Sequence, residues 1–78
     1  MSGIYALAPA IAEAYTRRCA KHGTQPFASS HEMLGVLTEE YYELLTAIHA
    51  GDRDAIRSEA MDLLQVVLHW LVVEGRTV

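Results

Sequence analysis

Two stretches patterned for long helices are separated only by Gly51–Asp52, and this short break constrains the fold more than any other feature of the chain. From Ser30 to about Ala50, and from Arg53 to about Glu74, apolar residues recur at helical spacing without the alternation of a strand. Each stretch carries its own start signal. Ser29 followed by Glu32 has capping-box spacing, and Asp52 can accept from the first free N–H groups of the next helix. Gly51 and Gly75 supply the stops. A two-residue connection makes the helices antiparallel neighbours, an αα-hairpin. The expected fold is all-α.

Upstream, Pro9 fits the first turn of a shorter helix, where its missing N–H costs nothing, and Ile4 and Leu7 before it either join that helix or pack as an extended arm. Ile11, Ala12, Tyr15 and Cys19 follow at helical spacing, and Gly23 after His22 can cap the end. Residues 23–30, with Pro26 and paired serines, read as a loop. The 78 residues make a single domain, 1–78, and a hydrophobic content of 51% is too high for a disordered tail. Six basic against ten acidic residues, net −4, argue against nucleic acid as the partner. No membrane partner is expected either. The apolar segment Leu63–Val73 is too short to span a bilayer and is interrupted by Gln65 and His69. No signal peptide is expected, and the lone Cys19, which reads as a small buried apolar residue, suits a reducing cytoplasm.

At about 100° per residue, faces follow by arithmetic. On the second helix Met33, Leu37, Tyr41, Leu44 and Ile48 form an apolar stripe with Glu40 and Glu43 at its edge. On the third, Ile56, Leu63, Val67 and Trp70 form the matching stripe with Glu59 and Asp62 at its margin, beside Val66. Each acidic pair is three residues apart, which sets the two Cβ atoms roughly 5–6 Å apart on one surface. Glu43 lies eight residues before Gly51 and Glu59 eight after it, so the pairs meet at similar height. Four carboxylates converging on an apolar seam repel one another unless they take up protons or a cation. Oxygen-only donors call for a hard divalent ion such as Mg²⁺. A di-iron centre needs Glu-x-x-His on two helices, whereas the sequence has Glu40-x-x-Glu43 and Glu59-x-x-Asp62.

Glu39-Glu40-Tyr41-Tyr42-Glu43, a spacer, then Glu59-Ala60-Met61-Asp62 resembles the Glu-Glu-x-x-Glu … Glu-x-x-Asp signature of MazG-like nucleoside triphosphate pyrophosphohydrolases. The likeness covers about Phe27 to Val73. Residues 51–65 also look like phosphoribosyl-ATP pyrophosphohydrolase, but Leu37 and Val66 replace a lysine and a histidine usual there. The resemblance implies Mg²⁺-dependent hydrolysis of a nucleoside triphosphate to the monophosphate and pyrophosphate, with Glu40, Glu43, Glu59 and Asp62 as metal ligands. On that analogy metal-bound water is the nucleophile, and one of these carboxylates, or Glu39, accepts its proton. The alternative is a non-catalytic helical interaction module that keeps the acidic site as a clamp.

Phosphate contacts are expected from Arg53, Arg57, Arg76, Lys21 or a second subunit, because Arg76 is the only cation after Asp62. Tyr41 and Trp70 are core residues first and base contacts second, with Phe27 a further stacking candidate. His31 could touch a nucleotide, although its angle is nearly opposite Glu40. No chemistry is assigned to His22, His49 or His69. Gly35, inside the second helix, calls for a closely packed neighbour. A second apolar row on the third helix, Met61, Leu64, Leu68 and Val72, needs its own cover. The first helix is short, so the expected cover is a second chain: a homodimer, or a higher homo-oligomer, whose hairpins pair into a four-helix bundle.

Overall fold

The computed structural model describes residues 3–73 and is built of three helices, α1 (Ile4–His22), α2 (Ser30–Ala50) and α3 (Arg53–Val73). No strand occurs among the described residues. The expected stop at Gly75, with Glu74 and Arg76, lies outside them. The Ser29 hydroxyl accepts from the Glu32 N–H at 3.1 Å, the first arm of the cap. The return arm shifts by one residue, Glu32 Oε1 accepting from the Ala28 N–H at 2.9 Å. Gly51 takes a left-handed conformation (φ 70°, ψ 19°) that closes α2 with little strain only because it has no Cβ. One residue on, Asp52 Oδ1 accepts from the Ala55 N–H at 3.1 Å and opens α3.

α1 is longer than the expectation built on Pro9. It starts at Ile4, which places Pro9 as its sixth residue rather than in the first turn. Pro9 therefore removes the N–H that would bond the Tyr5 carbonyl, on an exposed stretch where water can take its place.

α3 is the central element. It packs against α2 on one side and α1 on the other, while α1 and α2 stay apart. Val66 is the most buried apolar residue at 3% exposure, with Ala47 of α2 and Ala14 of α1 buried beside the two contacts. The α1–α3 contact also contains two buried polar residues. Gln65 Nε2 donates to the Ile11 carbonyl at 3.4 Å. His69, 2% exposed, lies 2.7 Å through Nε2 from the Gln25 carbonyl and 2.9 Å through Nδ1 from the Tyr15 hydroxyl. A carbonyl can only accept, so Nε2 carries a proton and donates to Gln25. The edge of Phe27 meets the same ring at 5.3 Å between centroids.

Three expectations about packing change. Tyr41 and Ile48, placed by their spacing on the inward stripe, are 53% and 50% exposed. The seam of the hairpin is rotated toward Val36, Glu40 and Ala47, which half-buries Glu40 and Glu59 while Glu43 and Asp62 stay exposed. The displaced stripe instead forms an open apolar groove of about 440 Å³ lined by Leu37, Thr38, Tyr41, Leu63 and Val67. Gly35 has no closely packed neighbour, since a Cβ built there meets nothing within 4 Å. Of the second apolar row, Met61 and Leu68 are half-buried, whereas Leu64 and Val72 remain 39% and 40% exposed.

Candidate metal centre

α2 contributes Glu40 and Glu43, and α3 contributes Glu59, to a group whose carboxylate oxygens lie within 4.8 Å of one another. The capped Gly51–Asp52 turn sets the heights of the two helices, and the rotated seam draws Glu40 and Glu59 inward. One oxygen of each, Glu40 Oε2 and Glu59 Oε2, is buried without a hydrogen-bond partner. Unsatisfied buried carboxylate oxygens are costly, and the cost shows in proton affinity. Burial, followed by the charges of Glu43 and Asp62, pushes Glu40 from 4.5 up to about 7. Glu59 is raised too, first by burial and then by the neighbouring Glu43 carboxylate. Asp62 is not a member of the group, yet it is close enough for its charge to act on both glutamates.

This donor set fits a hard divalent cation. All of its atoms are oxygen, the carboxylates repel one another, and two of the oxygens have no other partner. No histidine or cysteine joins the group.

Glu40 also faces a cleft of about 800 Å³ between α1, α2 and α3, within the range of roughly 300–1,000 Å³ usual for ligand cavities. Glu39, Asp62 and Arg57 line this cleft as well. Among the other residues singled out for substrate, Arg53, His31 and Trp70 line neither this cleft nor the apolar groove. Arg53 and His31 are exposed, and Trp70 is half-buried farther along α3. Arg76 lies outside the described residues. Lys21 does reach the cleft, and it is joined there by Arg17 and Arg18 of α1, which carried no expectation, and by His22, to which the sequence assigned no chemistry. Their spacing from Ala14, at i+3, i+4, i+7 and i+8, was the available signal that they share one face.

No helix among the described residues is long and apolar enough to cross a membrane. The family profile of the MazG nucleotide pyrophosphohydrolase domain matches residues 28–77. An "Uncharacterized 26.1 kDa protein in blaB 3'region" of Streptomyces cacaoi is 52% identical over 40 residues, half of this chain. That stretch is only 16% of the relative's length, so the chain spans a small part of it. No solved structure matches the chain. With the matched segment covering α2, α3 and all of the carboxylates just described, the chain belongs to the MazG nucleotide pyrophosphohydrolase family.

Proposed function

We propose that the chain hydrolyses a nucleoside triphosphate to the nucleoside monophosphate and pyrophosphate in a Mg²⁺-dependent reaction, with Glu40, Glu43, Glu59 and Asp62 holding the metal. The observation that carries this reading is the pair of buried, unpartnered oxygens on Glu40 and Glu59 inside a three-carboxylate group. A bound divalent cation supplies positive charge against the phosphate oxygens and eases loss of a proton from water. Glu40 belongs both to the carboxylate group and to the cleft wall, so a nucleotide in the cleft lies directly beside the acidic centre. Glu39 lines the cleft without belonging to the group, and in this reading it accepts the proton of the attacking water. The water oxygen bonds to the α-phosphorus, the bond from that phosphorus to the α–β bridging oxygen breaks, and pyrophosphate departs. Val66 and Met61 form apolar parts of the cleft wall.

The open groove at Leu37, Tyr41, Leu63 and Val67 supports a second part of the proposal. Leu34, Tyr42 and Leu71 are also exposed, at 59%, 62% and 59%, which adds to the apolar area that a small chain leaves in water. A second copy covers it, and the hairpins pair as a homodimeric four-helix bundle. A cytoplasmic role in removing unwanted nucleotides completes the reading.

Pyrophosphate release from a panel of ribo- and deoxynucleoside triphosphates tests it, with Mg²⁺ or chelator, for wild type and Glu59→Gln. Release that needs Mg²⁺ and disappears in a variant of unchanged helical circular dichroism is expected. A folded wild-type protein that releases nothing from any nucleotide refutes the reading, and phosphoribosyl-ATP and a non-catalytic module become the alternatives.

A further inference from the structure

The cleft has two walls of opposite sign. α2 and α3 supply Glu39, Glu40, Asp54 and Asp62 with Arg57 as the one cation among them, so that wall is acidic on balance, and α1 supplies Arg17, Arg18 and Lys21. The cations occupy one face of the helix, following the buried Ala14 by three, four and seven residues. Their wall is held in position from α3: Gln65 bonds the Ile11 carbonyl and His69 bonds the Tyr15 hydroxyl, six and two residues before Arg17. The Arg18 guanidinium also lies over the Phe27 ring, 5.8 Å from its centroid. Arg17 makes one exposed ion pair, with Glu13 at 3.6 Å, which is weak enough to leave its charge available.

A polyanion alone is repelled by the acidic wall, and a cation alone by the basic one. A polyphosphate chain carrying a divalent cation satisfies both, with the cation toward Glu40 and the phosphates toward α1. We propose that Arg17, Arg18 and Lys21 of α1 form the binding wall for the triphosphate tail of the substrate. This inference rests on the nucleotide reading above, yet it concerns a helix that precedes the matched segment 28–77, so family membership does not assign it.

The test uses binding rather than turnover. Calorimetric titration of the full chain in Mg²⁺ compares tripolyphosphate with a nucleoside triphosphate whose α–β bridge is a non-hydrolysable imido group. In the Arg17→Gln/Lys21→Gln double variant both ligands are expected to bind at least about tenfold more weakly, with a shallower salt dependence. Retained affinity in an Arg17→Lys variant isolates charge from packing, and unchanged binding of Mg²⁺ alone shows an intact acidic centre. Affinities within twofold of wild type for the double variant overturn the proposal, as does wild-type protein that binds neither ligand. Weakening for tripolyphosphate alone overturns it too, because the wall then serves a free polyphosphate. A wild-type protein that binds the imido nucleotide through this wall but releases no pyrophosphate from any nucleotide sinks the catalytic reading and leaves the wall standing.

Discussion

Neutralising one member of the three-carboxylate group should stabilise the protein in the absence of divalent cations. In Glu40→Gln an amide of nearly the same shape replaces a carboxylate that burial and its neighbours disfavour. The direction follows from proton binding. Between pH 4.5 and about 7 the folded chain keeps a proton on Glu40 that the unfolded chain has lost, so stability falls as pH rises through that window. By about pH 8 the whole cost is present. A carboxyl raised from 4.5 to about 7 corresponds to about 3 kcal/mol at 1.36 kcal/mol per tenfold change. Glu40 still touches water, so screening leaves on the order of 1–2 kcal/mol. In a domain of 78 residues that is a rise in Tm of about 5–10 °C. Thermal melts by far-ultraviolet circular dichroism in chelator, from pH 4.5 to 8, read this directly. Wild type and Glu40→Gln should coincide near pH 4.5 and separate above it, the variant melting higher. Mg²⁺ should reverse the order at pH 8, since a ligand at about 100 times its Kd adds about 2.7 kcal/mol to the form that binds it. Parallel curves at every pH, or a variant less stable than wild type at pH 8 in chelator, would refute the reasoning, because the carboxylates would then be ordinary solvated groups.

Three further substitutions test the frame that holds the site. Gly35→Ala should raise stability by about 1 kcal/mol in thermal melts, since the added Cβ meets no atom; a loss would mean that this surface is covered in solution. Gly51→Ala should move the other way by about 1 kcal/mol, because φ of 70° strains any residue with a Cβ, and an unchanged denaturant midpoint would count against that conformation. His69→Phe removes two hydrogen bonds from a 2% exposed position and should cost about 2–3 kcal/mol in urea unfolding, with faster amide exchange along α1. A change below 0.5 kcal/mol would show that this tie does not hold α1.

Much of the hairpin was legible because its signals are local. Ser29, Gly51 and Asp52 act within one turn of their own helix, and the structure starts α2, stops it and starts α3 where those residues indicate. The meeting of Glu43 with Glu59 was legible for the same reason, since equal distances from a tight turn need no knowledge of the remaining chain. What was hidden depends on where α1 lands. Whether Tyr41 faces a core or water is decided by which side of α3 is already occupied, and α1 takes the Gln65–His69 side. His69 offered no ligand spacing and so no sequence signal, although it is among the most buried residues of the described chain. Arg17 and Arg18 look like ordinary solvated helix residues until α1 is laid alongside α3 and the cleft exists. Pro9 misled because its missing N–H is tolerated wherever water can reach the orphaned carbonyl, not only in a first turn.

The position of α3 between two helices that do not touch each other divides the molecule's tolerance for change. A side chain on α3 answers to whichever neighbour it faces: Gln65 and His69 to α1, Glu59 to α2. α1 carries no part of the three-carboxylate group, and its cleft-facing residues other than Ala14 make few packing contacts. Substitutions on that face can therefore accumulate without disturbing the acidic seam. The wall that meets a ligand and the wall that gathers the carboxylates lie on separately adjustable helices, so such a scaffold can change what it admits before it changes what it does.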